Sequence, residues 1–400
     1  MIRRAFLGIL FATLGCAGAF AQRDIDIQIE GRGQRLNVPV YRVAITSDDQ
    51  SLLADAKRAF GLHGSYIVST PANAQFTFSF TKAGATAVKV AIRGGTLFEQ
   101  ICTGESMTAA LMKACDVAVN RTLGKPGFFA GKIVFSYSRN AGKNTDICMS
   151  DMVFKHVRML TNDKSDSLLP HFSPDGRKVM YTGYYRSGFM DLFQIDLAAN
   201  SRKPFASYKG SNTGGDFSPD GKKVAMILTA TGNAEIWTAN ANGTGFRRLT
   251  KTPATESTAS FSPDGSKILF AADNRGSPQI YTMPANGGRP SVVRTNISRY
   301  CSEPAWNPKD PNKIVFTLAQ GRGFQVAVYD FSKRVSEVVS AGESTSTPRW
   351  LNDGRHIICA KTRGKNRQLY IIDTETKRQA PLHTASFGSA KEPDFVYNPR

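Results

Sequence analysis

Phe172-Ser173-Pro174-Asp175-Gly176 returns as Phe217-Ser218-Pro219-Asp220-Gly221 and as Phe261-Ser262-Pro263-Asp264-Gly265. Weaker copies stand at Trp306-Asn307-Pro308 and at Trp350-Leu351-Asn352-Asp353-Gly354. The aromatic anchors at 172, 217, 261, 306 and 350 are spaced 45, 44, 45 and 44 residues apart, and Phe395 lies another 45 on. A fixed period of this length is the mark of a repeat architecture.

Each repeat reads as one small sheet. The aromatic ends a short inner strand, and Pro-Asp-Gly then makes a tight turn. A β-rich run follows each time, as in Lys178-Val179-Met180-Tyr181 and Lys267-Ile268-Leu269-Phe270. A third strand comes next, as in Glu235-Ile236-Trp237, and a fourth carries a basic residue, as near Arg202 and Arg334. Four antiparallel strands per repeat predict a β-propeller, which hides sheet edges by closing radially. Second strands number six, because Lys132-Ile133-Val134-Phe135 adds one before the first anchor. No inner strand precedes it, and Glu392-Pro393-Asp394-Phe395 mirrors Glu303-Pro304-Ala305-Trp306. The C-terminal strand is therefore predicted to complete the first blade and close the ring.

The amino end has three parts. Arg3 and Arg4, the apolar run Ala5 to Leu14 and Ala19-Phe20-Ala21 form a signal peptide over 1–21, with cleavage expected after Ala21. Residues 22–35 read as a leader in which Ile25, Ile27 and Ile29 alternate with Asp26, Gln28 and Glu30, a strand by period. Residues 36–123 read as a small α/β domain with strands starting near Tyr41, Tyr66, Phe76, Ala87 and Leu97. Its first helix, over Leu52 to Phe60, is capped by Asp48 or Asp49; its second runs from about Ser106 to Leu123, where Gly124 stops it. Residues 124–131 read as a linker and 132–400 as the propeller.

Composition and motifs exclude several functions. The formal charge is +19, or +17 without Arg3 and Arg4, and favours acidic partners or anionic surfaces. The basic residues are scattered through every blade instead of forming a tract, and export is predicted, so no nucleic acid is expected. No cofactor or metal is expected: the histidines are isolated, no cysteine spacing fits a metal site, and no phosphate-cradling loop precedes Lys222. Asp175, Asp220 and Asp264 lie on separate turns and serve turn chemistry rather than catalysis. A peptidase of the propeller-capped kind needs a nucleophile elbow and a hydrolase domain, and the chain has neither. A glycan- or ligand-binding propeller stays as the alternative to a protein adaptor. Cys102 and Cys115 could be bridged or could be buried small hydrophobes.

With Gly276-Ser277-Pro278-Gln279-Ile280-Tyr281, Lys209-Gly210-Ser211-Asn212, Leu249-Thr250 and the join Leu123-Gly124-Lys125-Pro126-Gly127-Phe128, the chain resembles the TolB family of the Tol-Pal envelope system. The order of signal peptide, α/β domain, join and six blades carries most of that resemblance. It implies a monomeric, non-enzymatic periplasmic adaptor that is not membrane-spanning. The propeller would bind a Pal-like peptidoglycan-associated lipoprotein through loops entering the inner strands: Ser211, Asn212, Glu256, Ser257, Ser302, Glu303, Ser344, Thr345 and Glu392. The leader, through Asp24, Ile25, Asp26, Ile27, Gln28, Ile29 and Glu30, would engage a TolA-like inner-membrane protein. The implied role is outer-membrane invagination and integrity at division. The chain departs from the family pattern in the long turn Asn307–Asn312, in Asn352 where a Pro is expected, and in Asp151-Met152-Val153-Phe154 where an Asp-Gly turn is usual.

Overall fold

A computed structural model describes residues 38–139 and 144–397. The first unit is a five-stranded sheet covered on one face by two helices. Its strands are β1 (Tyr41–Ser47), β2 (Tyr66–Val68), β3 (Phe76–Gly84), β4 (Ala87–Arg93) and β5 (Phe98–Thr103), in the order β2-β1-β3-β4-β5. β1 is parallel to β2 and β3, and the other pairs are antiparallel. Helix α1 (Gln50–Leu62) begins where Asp49 Oδ1 accepts Leu52 N–H at 2.9 Å, which settles the choice between the two aspartates. Helix α2 (Met107–Leu123) begins with Ser106 Oγ accepting Ala109 N–H at 3.1 Å and ends at Gly124, whose N–H reaches Asn120 O at 2.8 Å. Leu52, Ala56, Ala59 and Phe60 of α1 and Ala110, Leu111, Ala114 and Ala118 of α2 are buried against Val43, Phe78, Phe80, Val88 and Val90. Period-3.6 and period-2 stripes thus meet face to face. Cys102 and Cys115 are buried and free, so the small-hydrophobe reading holds.

Six four-stranded sheets follow. The inner strands of blades II to VI are Ser167–Phe172, Asn212–Phe217, Glu256–Phe261, Cys301–Trp306 and Thr345–Trp350. Ser389–Val396 supplies that of blade I by pairing antiparallel with Lys132–Ser138, from Ser389 opposite Ser138 to Val396 opposite Lys132. The predicted closure of the ring is present. Antiparallel alternation gives the ring two ends. The upper end holds the starts of the inner strands and the loops between second and third strands; the lower end holds the aromatic-anchored turns.

Those turns follow from their letters. In blade II, Ser173 Oγ donates to Asp175 Oδ1 at 2.6 Å and accepts Lys178 N–H at 2.9 Å; Asp175 Oδ1 accepts Arg177 N–H at 3.0 Å. Gly176 takes φ 67°, which a residue with a Cβ resists. Ser218 with Asp220 and Ser262 with Asp264 repeat the bonds at 2.6 and 2.5 Å. Hydrogen bonds from Ser262 and Ser266 hold the Asp264 carboxyl down at about 2, as suits a permanently ionised turn acceptor. The departures find other solutions. Asn307 Oδ1 accepts both Lys309 and Asp310 N–H at 2.9 Å, and in blade I Asp151 accepts three backbone N–H groups while Phe154 takes φ 53°.

The residues predicted as a linker are packed. Phe128 and Phe129 are fully buried, and Phe128 lies 5.6 Å from the His63 ring in a parallel stack. Asp116 of α2 accepts Phe129 N–H at 2.8 Å, Ala130 N–H at 2.9 Å and the Tyr397 hydroxyl at 3.0 Å. A Cβ on Gly127 would sit 2.1 Å from Asp116 Oδ1, so only glycine lets the chain pass. One continuous core runs from Phe60 through Phe128 to Ile133, Leu351 and Leu382. Linker composition hid two aromatics that bolt the α/β unit to the ring.

Candidate protein-binding face

Every inner strand carries a bulge three residues before its anchor. Leu169, Gly214, Thr258, Glu303, Thr347 and Glu392 all take positive φ there. The register of each inner strand shifts at that point, which re-aims the side chains around the channel. Glu303 Oε2 accepts the Thr317 hydroxyl at 2.7 Å and Thr347 N–H of the next blade at 2.8 Å. Glu392 Oε2 does the same with Ser136 at 2.8 Å and Leu169 N–H at 2.9 Å. These two carboxylates therefore staple adjacent blades.

One residue before the anchors lies a second ring: His171, Asp216, Ser260, Ala305, Arg349 and Asp394. Asp394 Oδ2 accepts Phe172 N–H at 2.8 Å and Asp216 Oδ2 accepts Phe261 N–H at 3.1 Å, again from blade to blade. Arg349 Nε stands 3.8 Å from Asp394 Oδ1. Burial pushes the Asp394 carboxyl up to about 6, with Arg349 pulling against it, and burial beside Arg349 takes His171 down to about 3. A cavity of about 30 Å³ between the two rings is lined by His171, Thr258, Glu303, Thr347, Arg349 and Glu392. His171 Nδ1 and Thr258 Oγ1 have no protein partner there.

The nine predicted propeller-face residues divide. Asn212, Glu256, Ser302 and Thr345 are buried. Asn212 binds Tyr208 N–H at 3.0 Å and Met190 O at 3.0 Å; Glu256 accepts the Thr250 and Thr252 hydroxyls at 3.2 and 2.5 Å. Asn212 and Glu256 hold loops in shape, as does Thr345, whose hydroxyl donates to Glu343 O at 2.9 Å. Ser257 is exposed and Ser211 and Ser344 are half-buried at the upper end, with Glu303 and Glu392 half-buried at the bulges. The leader residues Asp24 to Glu30 and the signal peptide lie outside the described residues.

A model of the TolB beta propeller domain matches residues 119–396, more than half of the chain. The chain belongs to the TolB beta-propeller family. Among curated relatives, the Tol-Pal system protein TolB of Anaeromyxobacter sp. (strain K) is 30% identical over 133 residues, 33% of this chain and 30% of that protein. That of Francisella tularensis subsp. mediasiatica is 27% identical over 176 residues, 41% of this chain and 40% of that protein. The matched stretches thus span less than half the length of either relative. A crystal structure of TolB from Acinetobacter baumannii superposes with a TM-score of 0.79 at 19% identity, covering 93% of this chain and all (100%) of that one. A nidogen/laminin complex reaches 0.55 at 12% identity over 67% of this chain and 99% of that one. Both show the fold, and the first extends the likeness across the α/β unit.

Histidines isolated in sequence meet in space. His63 and His356 have ring centroids 4.4 Å apart, and with Asp353 they are the one cluster with metal-ligand composition among the described residues. His356 Nδ1 lies 2.5 Å from Asp353 Oδ2, while Nε2 accepts Gly64 N–H at 3.2 Å. Both nitrogens are thereby occupied, and the cluster acts as a latch between α/β unit and ring. Burial takes His63 well below its ordinary value. No helix among the described residues is long and apolar enough to cross a membrane.

Proposed function

We propose that this protein is a periplasmic adaptor of the Tol-Pal system. In this reading the upper end of the propeller binds a Pal-like peptidoglycan-associated lipoprotein, and the leader at 22–33 engages a TolA-like inner-membrane protein. The coupling supports outer-membrane invagination and integrity during division. Membership of the TolB beta-propeller family, with the α/β unit ahead of six closed blades, is the observation that carries it. In this reading the lipoprotein would meet Ser211, Ser257 and Ser344, which are exposed or half-exposed. The alternation of Ile25, Ile27 and Ile29 with polar residues in the sequence is the pattern that would suit addition of a strand to another sheet.

The test uses the mature chain beginning at Gln22 and the same chain lacking residues 22–33. Both should bind the lipoprotein with equal affinity by calorimetry, and the shortened chain alone should lose the TolA-like partner. Fast amide exchange across Asp24 to Glu30, slowed on adding that partner, is the expected signature of a lent strand. Strong protection without partner would make the segment part of the α/β unit and refute the leader's role. Capture of a glycan and no lipoprotein from envelope extract would favour a ligand-binding propeller instead.

A further inference from the structure

Between blades IV and V the upper end opens into a cleft of about 410 Å³. One wall is the loop after the second strand of blade IV, and the other is the segment 293–300 leading into the inner strand of blade V. The walls are tied together: Cys301 N–H donates to Pro278 O at 2.9 Å, and Gln279 Nε2 donates to Arg299 O at 2.6 Å. The floor is built from Val292, Val293 and Thr295. Arg275, Arg294 and Arg299 line it, all three exposed, and none has a carboxylate within ion-pairing distance among the described residues.

Several guanidinium groups elsewhere on the ring are matched. Arg202 meets Asp163 at 2.5 Å, Arg363 meets Glu343 at 2.5 Å, and Arg248 meets Glu235. Three unneutralised cations around one concavity focus positive potential inside it. Each guanidinium offers a planar fork of donors suited to a carboxylate. Beside Arg299, Tyr300 and Phe324 pack with ring centroids 5.5 Å apart, and Phe324 is 37% exposed.

We propose that this cleft binds an acidic peptide segment, its carboxylates held by Arg275, Arg294 and Arg299 and an apolar neighbour resting on Tyr300 and Phe324. The cations stand on two walls and are exposed, which suits successive side chains of an extended peptide. A lone phosphate is held by donors converging on one point, and an anionic membrane meets a surface, not a cleft. The site rests on its own chemistry and is separate from the identity of the Tol-Pal partners.

The probe is a capped, fluorescein-labelled peptide of glutamates interrupted by phenylalanine, followed by anisotropy against the mature chain, with inorganic phosphate and phosphatidylglycerol vesicles as the other arms. Replacing Arg275, Arg294 and Arg299 together by Gln should weaken peptide binding by at least about tenfold. A charge-matched control, Arg177→Gln with Lys222→Gln and Lys333→Gln at the lower end, should leave it unchanged. In the unaltered chain, the peptide should shield the three cleft arginines from a guanidinium-modifying reagent read by mass spectrometry. Equal loss in both triple variants, absent shielding, no peptide binding, or binding of phosphate or vesicles in place of the peptide would each overturn the proposal.

Discussion

At the lower end of the propeller, the two arginines beside the α/β unit have fixed partners: Arg355 meets Asp373 at 2.5 Å and Glu375 at 3.0 Å, and Arg378 donates to Gly64 O at 2.8 Å and Tyr66 O at 2.7 Å. At the upper end, Arg275, Arg294 and Arg299 face an open cleft. The lower end is a joint, where buried charge, the His63–His356 pair and Phe128 hold the α/β unit to blades I and VI. A buried ion whose partner is removed is costly, so such a joint is fixed once made. An exposed cation without a partner costs little in the free protein and is available for binding. The proposed adaptor role calls for such a rigid joint at one end and an open, charged cleft at the other.

Opening the ring should have the largest effect on both ends. Deleting Ser386 to Arg400 removes the strand that completes blade I and exposes two sheet edges. Loss of cooperative melting and aggregation are expected, monitored by calorimetry and light scattering. Phe128→Ala strikes the joint alone. Removing a fully buried ring from a packed interface costs about 3–5 kcal/mol. Denaturant titration should show that loss, whereas Arg294→Gln should leave stability within about 0.5 kcal/mol of the parent.

Acid tests the buried groups. His171 is held at about 3 and His383 at about 4, both by burial, while the unfolded chain titrates near 6.5. The unfolded state therefore binds more protons below about 6.5, and each histidine withdraws about 2 kcal/mol of stability by about pH 5. Burial raises Asp116 to about 7 and Asp394 to about 6, above the unfolded 3.8, so these return stability over the same window. From pH 7 to pH 5, Asp116→Asn should make the melting temperature fall more steeply than it does in the parent. A matching slope in the variant would contradict the assignment.

Smaller effects come from the inter-blade staples. Glu303→Gln or Glu392→Gln removes a charged acceptor from two donors and should cost about 1–3 kcal/mol in denaturant titration. A loss of partner binding on reversing either charge therefore mixes ring stability with recognition. Ser257 or Ser344 is the cleaner site for probing the face.

What was legible in the sequence was local and periodic. The Phe-Ser-Pro-Asp-Gly turns, the six second strands, the closing Glu392–Phe395 copy and the caps at Ser106 and Gly124 each depend on a few neighbouring residues. The rest depends on distant partners. Nothing near His63 announces His356, and Phe128 sits among Gly and Pro that read as linker. Glu303 and Glu392 read as face residues because the bulge that turns them between blades has no sequence mark except its place in the repeat. Aligning the repeats at their anchors does display the second ring, with Arg349 set among His171, Asp216 and Asp394. Asn212 and Glu256 point inward to satisfy loop backbone and hydroxyl groups, which polarity alone does not reveal.

In the proposed adaptor, the upper end of the propeller takes one partner and the leader takes another. Crosslinking in intact cells, mapped by mass spectrometry from reactive probes placed at Ser211, Ser257 and Ser344 and within residues 22–33, tests it most directly. The three propeller positions should join a peptidoglycan-associated lipoprotein, and the leader should join a TolA-like inner-membrane protein. Lipoprotein crosslinks confined to the lower end or to the α/β unit, with none from the upper-end serines, would contradict it.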